Sequence, residues 1–121
     1  MTAILIGTAA SAGVRSGVAR IVRSAAELRS VHADEIAIVA DIGAWRLTPD
    51  QAAGYVCELG GPLSSVATAA RESGTPMAVG VQRATSIIVD GEVITLDGAS
   101  GVVLLHRRPV ASESASQAVL A

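Results

Sequence analysis

Leu59-Gly60-Gly61-Pro62-Leu63-Ser64-Ser65 runs straight into Val66-Ala67-Thr68-Ala69-Ala70-Arg71-Glu72, and Ser73-Gly74-Thr75-Pro76 closes the stretch. Two adjacent glycines permit a tight turn. Ser64 or Ser65 can then place a side-chain oxygen on the first free amides of a helix. Small residues continue for two turns until Gly74 and Pro76 stop them. The stretch therefore reads as a loop, a serine N-cap and a helix over 66–72. Such a helix start offers unpaired N–H groups and the positive end of the helix dipole. The backbone of Leu63, Ser64, Ser65 and Val66, with Gly60 and Gly61 before it, is thus a candidate anion site. Turn and cap chemistry accounts for the same residues, with Arg71 paired to an acid. The residues alone leave both readings open.

Upstream, residues 18–22 and 35–40 are short apolar runs with β-branched residues and read as strands. Between them, Ser24 and Glu27 have the spacing of a capping box over a brief helix. Residues 4–16 mix an apolar run with Gly7 and Gly13 and predict a strand passing into a turn-rich loop. Thr48-Pro49-Asp50-Gln51 starts a further short helix that Gly54 ends, and 55–58 is strand-like. Downstream, 77–81 is strand-like, and 86–89 and 92–96 flank Asp90-Gly91, which predicts a hairpin. Asp97-Gly98 turns the chain again toward 102–105. Short strands outnumber short helices, so the pattern predicts one compact α/β domain with a sheet-rich core. Residues 1–110 would form it, and the small polar segment 111–121 would be a flexible tail.

Composition narrows the function classes. The chain has 121 residues, enough for one core, and half of them are hydrophobic. Only 2% are aromatic, so Ala, Val, Ile and Leu must build that core around the 12 glycines. A net charge of −2 and the scarcity of stacking rings argue against nucleic acid. All nine basic residues are arginine, which excludes lysine Schiff-base chemistry and a P-loop lysine. The single Cys57 excludes an internal disulfide or a CxxC site. No apolar run has the length of a membrane span. The opening residues lack a signal-like pattern, so a cytoplasmic protein is expected.

The run from Gly60 to Gly80 resembles the signature of the phosphohistidine swivelling domain, the mobile domain of PEP-utilising enzymes. These include pyruvate phosphate dikinase, PEP synthase and the rifampicin phosphotransferases. The family pattern is roughly G-G-x-T-S-H-x-A-I-x-A-R-E-x-G-I-P-A-V-V-G, and similarity extends over about residues 5 to 106. The resemblance implies a swivelling β/β/α fold, a domain that relays phosphate between two other active sites, and no cofactor of its own. It implies as partners a separate ATP-binding protein or a PEP- or pyruvate-binding protein of a phosphotransferase system. One departure stands out. Ser65 occupies the position of the family's phosphorylated histidine, and Leu63 that of a regulatory threonine; Ser64 and Arg71 fit the scaffold.

Imidazole nitrogen is nucleophilic near neutral pH, and its phosphoramidate keeps a high transfer potential. A serine hydroxyl needs a base to attack, and its phosphate is a stable ester. The expectation is therefore a binding or regulatory module of a phosphotransferase-type system, not catalytic alone. The alternative is a detached phosphotransfer subunit in which Ser65 accepts phosphate.

Other chemistry-bearing residues have plainer readings. His32 and His106 read as surface residues and are too few for a metal site. Cys57 reads as a buried, inert thiol. Asp90 and Asp97 belong to turns. Trp45 beside Arg46 suits either a partner contact or a core position.

Overall fold

A computed structural model describes residues 2–41 and 51–107. The elements in chain order are β1 (Thr2–Ile6), β2 (Thr8–Ser11), β3 (Val14–Val22), α1 (Ala25–Arg29), β4 (Ile36–Val39) and β5 (Gly54–Cys57). There follow α2 (Ser65–Ser73), β6 (Met77–Val79), α3 (Ala84–Ile87), β7 (Val93–Asp97) and β8 (Val102–His106). The strands lie in the order β1-β8-β7-β3-β4-β5-β6-β2.

Strand β3 decides the architecture. Residues 14–18 pair antiparallel with β7, and residues 19–22 pair parallel with β4. One strand thus belongs to an antiparallel half (β1, β8, β7, β3) and to a largely parallel half (β3, β4, β5, β6, with β2 on the edge). Gly17 lies near this passage, where an added Cβ would stand 2.6 Å from the Asp34 carbonyl oxygen. The inward side chains of β7 and β8, Ile94, Leu96, Val103 and Leu105, share one core with Ile36, Ile38, Val56 and Ala78 of the parallel half. The alternate residues Ala37, Val39, Tyr55 and Cys57 form a second core with Leu28 of α1 and Ala67 and Ala70 of α2. Both faces of β4 and β5 are covered, which is why their sequences are unbroken apolar runs rather than alternating ones. The result is an α/β fold in three layers, sheet on sheet on helices.

Two expectations are corrected. Residues 4–16 are not one strand and a loop but β1, β2 and the start of β3. Gly7 makes the junction possible, because a Cβ there would come 2.6 Å from the Val79 carbonyl oxygen. Residues 86–89 do not form a hairpin arm; 84–87 are α3. The Asp90-Gly91 turn is instead held against β3. Asp90 Oδ1 accepts from Ile21 N at 2.8 Å, and Gly91 N donates to the Ala19 carbonyl at 2.8 Å. The Asp97-Gly98 turn does join a hairpin, β7 with β8. At α1, Ser24 Oγ accepts from Glu27 N at 3.1 Å, while the Glu27 carboxylate accepts from Arg23 N, one residue before the expected cap amide. The helix expected from Thr48, the Trp45-Arg46 pair and segment 111–121 lie outside the described residues. No helix among the described residues is long and apolar enough to cross a membrane.

Candidate functional site

The start of α2 is built by Ser64, not Ser65. Ser64 Oγ accepts from Ala67 N at 3.2 Å, and its carbonyl receives Thr68 N at 3.0 Å. The helix closes at Gly74 in the left-handed conformation (φ 72°), with Thr75 N returning to the Ala70 carbonyl at 2.9 Å. Ala67 and Ala70 are fully buried, so their small side chains bring α2 close to the sheet. Ser65 is the first helical residue and is exposed. Its hydroxyl takes no part in the cap. Among the described residues the amides of Ser65 and Val66 have no hydrogen-bond partner, as a helix start dictates.

The loop before the helix leaves its backbone open. Gly60 has φ 106° and needs to be glycine on that ground alone. Gly61 has no positive φ, and an added Cβ would meet nothing within 4 Å. The fold itself therefore makes no demand for glycine at 61. Leu63 is 90% exposed and Leu59 is 59% exposed, so an apolar side chain stands on each side of the glycine pair.

Among the described residues Arg71 does not pair with an acid, contrary to the plainer expectation. Its Nη1 donates to the Pro62 carbonyl and to the Ala10 carbonyl, each at 2.7 Å, and Nη2 donates to Thr68 Oγ1 at 3.1 Å. The guanidinium reaches back across α2 and ties the loop to β2. Its charge is spent on backbone carbonyls beside the candidate site.

Between the start of α2 and the C-terminal ends of β4, β5 and β6 lies a cavity of about 70 Å³. Ser64, Ser65, Gly60, Cys57 and Asp41 are among its lining residues. The ends of parallel strands are where open α/β sheets place ligands. Burial pushes the Cys57 thiol up to about 12, and the neighbouring Asp41 charge adds to the shift, so no thiolate forms near neutral pH. Asp41 escaped the sequence reading. It is one polar residue two positions past a buried strand, and only the parallel pairing of β4 with β5 brings it to the glycine loop. The structure thus brings Ser64, Ser65 and Asp41 to one cavity. It leaves His32 and His106 exposed in other parts of the fold.

Comparison with known proteins follows the same lines. Residues 31–101 match the family model of the PEP-utilising enzyme mobile domain. A probable phosphoenolpyruvate synthase of Archaeoglobus fulgidus is 34% identical over 106 residues, covering 83% of this chain and 13% of that protein. The chain spans between 3% and 13% of the length of three curated relatives that it matches. Among solved structures, a chain of Thermococcus kodakaraensis aconitase X superposes with a TM-score of 0.66 at 17% identity, over 87% of this chain and 99% of that one. An Enzyme I structure gives a TM-score of 0.53 at 24% identity, over 74% and 38%. The two superpositions show the three-layer fold, and the sequence match shows the lineage: the chain belongs to the mobile-domain family of the PEP-utilising enzymes.

Proposed function

We propose that this chain is a binding or regulatory module of a phosphotransferase-type system in which Ser65 stands where the family carries its phosphorylated histidine. The observation that supports this most directly is the division of labour at α2. Ser64 alone makes the cap, which leaves the Ser65 hydroxyl exposed at the helix start. A hydroxyl there lacks the reactivity of imidazole, and a phosphoserine would be too stable to return phosphate toward PEP. The glycine loop and the open amides of Ser65 and Val66 keep their capacity for an anion. Residues 1–110 would form the module. It would work in the cytoplasm, with the ATP-binding and the PEP- or pyruvate-binding functions residing on separate proteins.

Asp41 supports a second reading, a phosphotransfer subunit with Ser65 as acceptor. Ser65 Oγ would bond to the donor's phosphorus as the bond from phosphorus to the leaving oxygen breaks. The hydroxyl proton would pass to the Asp41 carboxylate, which lines the same cavity.

Intact mass after incubation with native-cell extract and either ATP or PEP separates the two. The module reading expects no adduct on Ser65 with either donor. An acid-stable phosphate adduct that maps to Ser65 and passes on to an acceptor would replace it with the second reading. In parallel, Ser65→His should gain an acid-labile phosphate if the surfaces that dock a partner are intact.

A further inference from the structure

The cavity beside Ser65 is lined on its buried side by apolar groups alone. Cys57 of β5 and Met77 and Val79 of β6 form that lining, each at most 3% exposed. The Cys57 thiol stays protonated near neutral pH and so presents a small, uncharged surface. Val66 of α2 makes a side wall, packed against the same core, and the exposed Leu59 stands at the opening. The space exists because the loop and the helix start contribute only small residues to it, Gly60, Ser64 and Ser65.

The polar groups around this space are already engaged. Ser64 Oγ accepts from Ala67 N, and the Arg71 guanidinium gives its donors to the Pro62 and Ala10 carbonyls and to Thr68. Asp41 is exposed and has interactions of its own, so its carboxylate belongs to the rim. Among the described residues no buried side-chain nitrogen or oxygen lacks a partner. A water held inside needs several polar partners, and the side chains of the buried lining carry no oxygen or nitrogen. A carboxylate at the rim also repels any anion that would pass it. Phosphate or carboxylate groups are thus kept at the opening, and the interior suits carbon.

Volume sets the size of what fits. An apolar cavity of about 150 Å³ takes the six carbons of benzene, so the space of about 70 Å³ here takes on the order of three. We infer that this cavity is a subsite for a short aliphatic group of that size, and that the ligand of the site is a small molecule whose apolar end is buried beside the Ser65 hydroxyl. Met77 suits such a lining, because an unbranched thioether adapts to the shape it meets. An anionic head on the same molecule would stay outside, at the open amides of Ser65 and Val66. The subsite depends on the proposed function only in sharing the start of α2 with it.

Titration of the full chain with neutral primary alcohols tests this, with the Met77 methyl followed by NMR. The chain has two methionines, so Met77→Leu assigns the signal. Affinity should rise about fourfold per added carbon from methanol to n-propanol, the worth of one buried methylene, and should rise no further by n-hexanol. Val66→Ala removes two carbons from the wall and should move that limit to longer alcohols. Val66→Ile adds one carbon and should move it to shorter ones. The two shifts have opposite signs, so general damage to the fold would not reproduce them, and circular dichroism checks each variant. No saturable shift of the Met77 methyl with any alcohol overturns the inference. So does an affinity that keeps rising to n-hexanol, which is partition onto apolar surface, or a limit that neither Val66 variant moves, which puts the alcohol elsewhere. Intact mass at Ser65 tests the module reading separately: an acid-stable phosphate that passes on to an acceptor sinks that reading and leaves the chain-length limit standing.

Discussion

Arg71 Nη1 holds the Pro62 carbonyl at 2.7 Å, nine residues back along the chain, and holds the Ala10 carbonyl at the same distance. One side chain thus fixes the glycine loop against β2, and an arginine does so through several donors in a rigid fork. Arg71→Met should keep the hydrophobic stem, lose both carbonyl bonds and cost about 1–3 kcal/mol in urea unfolding. Amide hydrogen exchange should rise in residues 60–65 more than in β4 or β5. A uniform rise across the fold would mean that Arg71 acts on global stability and not on the loop.

The two serines at the start of α2 should separate cleanly. Ser64→Ala removes the bond to Ala67 N and should cost about 1 kcal/mol. Ser65→Ala removes a hydroxyl that caps nothing and should stay within about 0.5 kcal/mol of wild type. Equal losses from the two in thermal or urea melts would show that both serines cap.

Acid should weaken the fold through Glu35. Its carboxylate pairs with the Arg20 guanidinium and accepts from His32 N at 2.9 Å, and these two bonds hold its pKa below the ordinary 4.5. In the unfolded chain the group binds its proton at a higher pH than in the folded chain. Stability from the pair is therefore complete above the unfolded value and is lost as pH falls through the depressed folded value. Glu35→Gln should cost about 1–3 kcal/mol at pH 7. The gap between variant and wild type should narrow in urea melts taken below about pH 4. A gap that stays constant with pH would remove the ionised pair as its cause.

Two glycines predict opposite outcomes. An added Cβ at Gly98 would overlap the Ser11 carbonyl oxygen and stand 2.9 Å from Met77 N, both backbone atoms of neighbouring strands. Gly98→Ala should cost ~3 kcal/mol or more, or prevent folding. Gly61→Ala meets open space and no positive φ, so its melting temperature should stay within a few degrees of wild type. A large loss at Gly61 would show that the loop conformation itself needs glycine there.

Much of the site's local form was legible in the chain. A serine before small residues and a glycine before proline predict the start and stop of α2, because caps and left-handed turns are decided within a few residues. The unbroken apolar runs of β4 and β5 were legible for a similar reason. The stretch 84–92 was not. A turn dipeptide says only that the chain reverses, and the flanking residues do not say whether they pair with each other. Here Thr85 donates its amide and hydroxyl to Glu58, which steadies the start of α3, while β3 takes the Asp90-Gly91 turn. Both partners are distant in sequence, so no local pattern could report them.

The sequence by itself determined the family and the loop-and-helix unit around Ser65. These depend on residue identity and on bonds spanning three or four residues. Only the tertiary structure decided that Ser64 and not Ser65 is the cap, that Arg71 ties loop to strand, and that Asp41 shares the cavity. It also decided that four exposed apolar side chains, Ile4, Ile6, Val14 and Val93, lie on one outer face. The cap is a local bond, but two equivalent serines in the sequence leave its choice to the actual backbone. The others need segments far apart in the chain to be brought together, and that is set by the packing of two cores at once rather than by any short run of residues.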